Sequence, residues 1–174
     1  MNMIVQSDRI SRIKTRSGLK LDLRPASRAD WKDLLKFLEV VSPSDLRFRF
    51  LAAVRPSELL ARLLADVDHL SREDLIAFDT RDGSIAATAM IAEGHAPDCA
   101  EIAVLVRSDL KEHGVGWAML LEACDYAREK GYRSAECVES SSNDRAIALE
   151  REQGFVGRLH PDDAELTILT KELA

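Results

Sequence analysis

Ala100-Glu101-Ile102-Ala103-Val104-Leu105-Val106, followed after a short connection by Lys111-Glu112-His113-Gly114-Val115-Gly116-Trp117-Ala118, decides how this chain is read. In the first run every neighbour of Glu101 is apolar, on both faces, which is the pattern of a central, buried strand. The second run opens a helix from Gly114 to Lys130, with Trp117, Leu120, Leu121, Cys124 and Ala127 on or near one stripe and Gly131 as its C-terminal cap. Glycines let a ligand approach the backbone, and the free N–H groups of a first helical turn attract anions, so the turn is suited to a pyrophosphate. On its own, Gly-x-Gly also fits a plain strand-to-helix turn. Two nucleotide fingerprints are excluded: Met119 stands where a dinucleotide fold needs its third glycine, and there is no Gly-Lys-Ser/Thr.

Upstream, Leu19, Leu21 and Leu23 alternate with charged residues and predict a first strand closed by Pro25. Ser27 and Asp30 have the spacing of a capping box before a helix carrying Trp31, Leu34, Leu35, Leu38 and Val41. Short helices follow over Asp45 to Leu51 and Pro56 to Ala65. A β-meander then runs through Asp74 to Asp79, Ser84 to Ala92 and Ala100 to Val106. Downstream of the long helix come a strand from Arg133 to Val138, a helix from Asn143 to Glu152 capped at Ser142, and a closing strand from Ala164 to Glu172. The order predicts a mixed α and β class. Residues 1–18 read as an N-terminal extension and 19–174 as one domain, a size that buries a core without staples.

The chain has 174 residues, 46% hydrophobic and 31% charged, with a formal charge of −6. This is the balance of a soluble globular protein and disfavours a nonspecific nucleic-acid binder. No stretch is apolar enough for a membrane span or a signal peptide, so a cytoplasmic protein is expected. Cys99, Cys124 and Cys137 have no paired spacing, so neither a disulfide framework nor a metal is expected. His69, His95 and His160 read as surface or loop residues, Trp31, Trp117, Phe37 and Phe155 as core.

Strand, then Lys111-x-x-Gly114-x-Gly116, then helix, resembles the acetyl-CoA motif of the GNAT acetyltransferase superfamily, with Lys111 where Arg or Gln is usual. A second signature, Asn143-x-x-Ala146-x-x-Leu149 ending in Gln153-Gly154-Phe155, is similar to that family's later helix. Ser42-Pro43-Ser44-Asp45-Leu46-Arg47-Phe48-Arg49-Phe50 resembles a run in the bacterial Pat-type protein-lysine acetyltransferases, which modify acyl-CoA synthetases. The resemblance implies an α+β fold with a mostly antiparallel sheet of about six to seven strands, splayed at the cofactor cleft and flanked by helices. It implies acetyl-CoA as co-substrate. Backbone groups of Val104 and Val106 would meet its pantetheine arm, and the turn of Glu112, His113, Gly114, Val115, Gly116 and Trp117 its pyrophosphate, with Leu105 and Lys111 as further cofactor-binding candidates. Asn143 would be a further cofactor contact, although a residue at a helix start is its equally ordinary reading.

Glu101 is the candidate catalytic base. Desolvation makes a carboxylate a stronger base, and an attacking lysine, with a pKa of about 10.4, must first lose a proton. The resemblance implies direct attack of the amine on the thioester, with a backbone N–H near Val104 steadying the oxyanion. Glu150 occupies the position at which many of these enzymes carry a proton-donating Tyr, which leaves the acid unassigned. The expected function is N-acetylation of a primary amine, preferably a protein lysine, by a monomer or homodimer. Acetylation of a small amine and non-catalytic sensing of acyl-CoA are the alternatives.

Overall fold

The structure, a computed structural model, describes residues 11–173. Its strands are β1 (Ser11–Lys14), β2 (Lys20–Pro25), β3 (Arg72–Asp79), β4 (Ile85–Glu93), β5 (Cys99–Val106), β6 (Ser134–Ser140), β7 (Val156–Leu159) and β8 (Leu166–Glu172). The helices are α1 (Trp31–Glu39), α2 (Pro43–Phe50), α3 (Glu58–Ala65), α4 (Val115–Glu129) and α5 (Asp144–Glu152). One sheet holds all eight strands in the order β1-β2-β3-β4-β5-β6-β8-β7, and only β5 and β6 run parallel. The expected six to seven strands become eight because β1 and β7, four-residue edge strands, escape a pattern reading. β1 belongs to the stretch read as an extension; it pairs with β2 from Ser11↔Leu23 to Lys14↔Lys20.

Alternation along each strand sorts side chains to two faces, and each face has its own core. On one, Leu75, Ala77, Ile102 and Ala100 pack with Met119, Leu120 and Ala123 of α4. On the other, Ile76 and Leu105 pack with Leu34 and Leu38 of α1, Leu46 of α2 and Ala61 of α3. A buried carboxylate, Glu73, ties β3 to α4: it accepts from Tyr126 Oη at 2.9 Å, and His69 Nδ1 lies 3.0 Å away. Ser27 and Asp30 do form the expected local lock, with Ser27 N donating to Asp30 Oδ2 at 2.7 Å and Arg24 bridging the same carboxylate. Among the described residues no helix is long and apolar enough to cross a membrane.

The bend after β4 places Gly94 against β6. A Cβ there would lie 2.8 Å from Glu136 Oε1 and 3.0 Å from the Cys99 carbonyl oxygen, so only hydrogen fits without displacement. Gly94→Ala should therefore destabilise the protein by about 1–3 kcal/mol, the usual cost of overpacking, as read from urea unfolding. An unchanged midpoint would mean that this bend relaxes freely.

Candidate active site

Parallel pairing between β5 and β6 lasts three rungs, Cys99↔Ser134, Ala100↔Ala135 and Glu101↔Glu136. Beyond them β5 continues beside β4 as far as Val106, and β6 beside β8 as far as Ser140, so the two strands part. A cleft of about 600 Å³ occupies the gap. β5 lines it with Ala103 to Val106, the following turn and α4 with residues 110–117, and β6 with Cys137 to Glu139; α2 and α5 complete the walls. Every cofactor candidate read from sequence lines this one cleft: Val104, Leu105, Val106, Lys111, Glu112, His113, Gly114, Val115, Gly116, Trp117 and Asn143. Glu101 lies at the vertex, on the last paired rung, and is not part of the cleft lining.

The turn into α4 is built from left-handed backbone at Glu112 (φ 68°) and Gly114 (φ 77°). The first intrahelical bond runs from Ala118 N to Gly114 O, so the N–H groups of Val115, Gly116 and Trp117 have no acceptor within the helix. The β1–β2 hairpin packs on this turn: Ser17 Oγ donates to His113 O at 2.7 Å, and a Cβ on Gly114 would sit 3.3 Å from Arg16 N. Arg16 stacks on the Trp117 ring, 3.6 Å from its centroid, and lines the cleft. Sequence reading missed Arg16, because nothing local links it to a turn about a hundred residues away.

Lys111 does not point freely at the cleft. Its ammonium pairs with Asp45 of α2, whose carboxylate also accepts from Ser42 Oγ at 2.6 Å and Ser108 Oγ at 3.3 Å. The motif lysine thus fastens α2 to the glycine turn. His113 Nδ1 lies 2.9 Å from the Lys111 carbonyl, and Glu112 pairs with Arg145 of α5 at 2.8 Å. What this turn offers an anion is backbone N–H groups and Arg16.

At the vertex, Glu101 and Glu136 face the same side as adjacent partners in a parallel ladder, and His95 joins them; their ligating atoms all lie within 4.8 Å of one another. Both the backbone N and Nδ1 of His95 are 2.7 Å from Glu136 Oε1. That hydrogen bond, and then the Glu136 charge, push the imidazole pKa up. His95, read from sequence as an ordinary loop residue, is part of the vertex. Glu101, read from sequence as lying on a central, buried strand, is half-buried, because the ladder opens where it stands.

The opposite face of β6 carries a second carboxyl group. Asn143 does not cap α5 with its side chain; its Nδ2 donates to Glu139 Oε2 at 2.8 Å. Helix α5 begins at Asp144 with Asn143 rather than Ser142 as its cap residue. Glu139 and Glu150 are hydrogen-bonded to each other, and Glu150 is 5% exposed with Oε2 buried and unpartnered. Burial first, then the Glu139 charge, push the Glu150 carboxyl up to about 9, so it is protonated at neutral pH. Burial also raises Glu139, against the Asn143 hydrogen bond and the Arg49 charge, which both favour its ionised form. Arg49 of α2 lines the same cleft, and burial lowers its pKa while the charges of Asp74, Glu101 and Glu139 oppose that shift.

The profile of the Acetyltransferase (GNAT) family matches residues 41–155, a span from α2 through α5 that contains the cleft lining except for Arg16 and Ser17. Among solved structures, the GNAT domain of PAT from S. lividans superposes with a TM-score of 0.83 at 26% identity, covering 94% of this chain and 96% of that one. A phosphinothricin acetyltransferase from Sinorhizobium meliloti, solved in complex with AcCoA, matches with a TM-score of 0.70 at 20% identity over 88% of this chain and 89% of its own. A cAMP-binding acyltransferase from Mycobacterium smegmatis matches at 0.63 and 19%, with this chain spanning 47% of its length. With the profile covering most of the chain and the splayed cleft in place, the protein belongs to the GNAT acetyltransferase family of acyl-CoA-dependent transferases.

Proposed function

We propose that this protein transfers an acetyl group from acetyl-CoA to a primary amine, a protein lysine being the preferred acceptor. The observation that carries this reading is the ladder that ends at Glu101↔Glu136 and opens onto the glycine turn. An extended pantetheine arm would pair with the backbone of Val104 to Val106 as an added strand. The pyrophosphate would take the N–H groups of Val115, Gly116 and Trp117 at the positive end of a 15-residue helix, with Arg16 beside them.

The thioester would then lie toward the vertex, where Glu101 takes a proton from the incoming ammonium, directly or through one water. The free amine attacks the carbonyl carbon, and a β5 backbone N–H near Val104 stabilises the oxyanion. Two adjacent carboxylates, Glu101 and Glu136, favour an acceptor that arrives as a cation. The preference for protein lysine rests on the resemblance of residues 42–50 to the Pat-type enzymes, and those residues form α2 with its cap, beside the cleft. An acyl-CoA synthetase is accordingly the first acceptor to try.

Free-thiol release from acetyl-CoA with an acyl-CoA synthetase as acceptor should occur with the wild type and fall about 100-fold or more in Glu101→Gln, with KM for acetyl-CoA little changed. Release with small amines alone would replace the protein acceptor by a small molecule. Acetyl-CoA binding without release in any case would leave an acyl-CoA sensor. Arg16→Ala should raise KM for acetyl-CoA about five-fold, roughly 1 kcal/mol, and leave kcat unchanged, as the loss of a uniform binding contact requires. An unaltered KM would remove the hairpin from the cofactor site.

A further inference from the structure

A buried carboxyl with an unpartnered oxygen on the wall of a reaction cleft demands an explanation. Glu150 is such a group. Its Oε2 has no hydrogen-bond partner, and its other contacts are the Glu139 carboxyl and the Cys137 thiol. These two are the ionisable groups that act on it; Glu139 in turn faces Asn143 and the Arg49 guanidinium of α2. Asn143 donates to Glu139, and Arg49 is a cation, so both hold the charge of the pair on Glu139. The shared proton therefore resides on Glu150, the more deeply buried partner.

We infer that Glu150 is the proton donor to the leaving thiolate of CoA, with Glu139 as the residue that positions and charges it. The inference rests on the acetyl-transfer reading above. Transfer forms a C–N bond and breaks C–S, so sulfur leaves with the electron pair and needs one proton. The attacking ammonium nitrogen loses two. One passes through Glu101 to solvent, and the other replaces, through solvent, the proton that Glu150 gives to sulfur. A thiol's ordinary pKa of about 8.5 is close to that of the Glu150 carboxyl at about 9, so the transfer is nearly balanced in either direction. Donor and base thus sit on opposite faces of the sheet, Glu101 on β5 toward α1–α3 and Glu150 on α5.

The test is the pH profile of kcat for thiol release by the whole chain with an amine or synthetase that the wild type acetylates. Wild-type kcat should fall at alkaline pH with an apparent pKa of about 9, as Glu150 loses its proton. Glu150→Gln should lose about ten-fold or more in kcat, keep KM for acetyl-CoA, and show no such alkaline fall. Glu139→Gln removes the neighbouring negative charge, so the alkaline limb should move to lower pH, a shift that a purely structural role would not produce. Folding is checked independently. A carboxyl whose folded-state pKa is raised stabilises least at high pH, so wild-type stability falls between the ordinary Glu range and about 9. Glu150→Gln should therefore gain in Tm relative to wild type as pH rises from 5 to 9. Wild-type kcat and an intact alkaline limb in a folded Glu150→Gln would overturn the assignment while leaving acetyl transfer standing. Absence of thiol release by the wild type with every acceptor would overturn both.

Discussion

The end of a backbone ladder governs this molecule. Two parallel strands that stayed paired would satisfy each other's N–H and C=O groups along their whole length; β5 and β6 stop after three rungs. From Ile102 to Val106 the β6-facing edge of β5 is left to another partner, although β4 continues to pair on its far side. The strands can part because each is secured elsewhere, β6 by seven residues of register with β8 and β5 by seven with β4. At the closed end, Arg133 N and Ser134 N both donate to Asp98 O, and Gly94 lets Glu136 come in against the bend. The opening is thus a product of strong pairing on both sides of a short parallel seam.

Strand alternation then distributes the chemistry. Around the gap, Glu101 and Glu136 project to the face covered by α1, α2 and α3, while Cys137 and Glu139 project to the face of α4 and α5. One face holds half-buried Glu101 and buried Glu136 with a histidine whose pKa they raise; the other holds half-buried Glu139 beside buried Glu150, whose carboxyl is pushed up to about 9. The same residue type thereby serves opposite acid–base roles, separated by desolvation and by neighbours rather than by sequence. Lys111 and Asp45 connect the halves mechanically, because α2 carries Arg49 into the cleft and is anchored to the glycine turn. The hairpin of β1 and β2 closes the other flank of that turn through Arg16 on Trp117.

What could be read from the sequence was whatever repeats with a period or requires a special backbone. The buried strand at 100–106, the long helix and the Gly114 turn carry those signals, and all three are where the pattern places them. β1 and β7 have one and two apolar residues, lie at sheet edges, and give no periodic signal. The side chains that proved informative at the site are ordinary in sequence. Glu150 stood out in sequence only as the residue at the position where many such enzymes carry Tyr, and its burial is a tertiary fact. Arg16 and His95 sit in loops whose partners, Trp117 and Glu136, are remote in the chain. Asn143 was found by motif, yet its direction, inward to Glu139 rather than along the helix end, is a tertiary fact.

The most direct test of the account is a crystal structure of the chain with CoA bound. The account predicts the pantetheine arm in the gap against Val104 to Val106, the pyrophosphate on the N–H groups of Val115 to Trp117, and the sulfur within reach of the Glu150 carboxyl. CoA bound outside the gap, or β5–β6 pairing that continues past Glu101 in the complex, would contradict it.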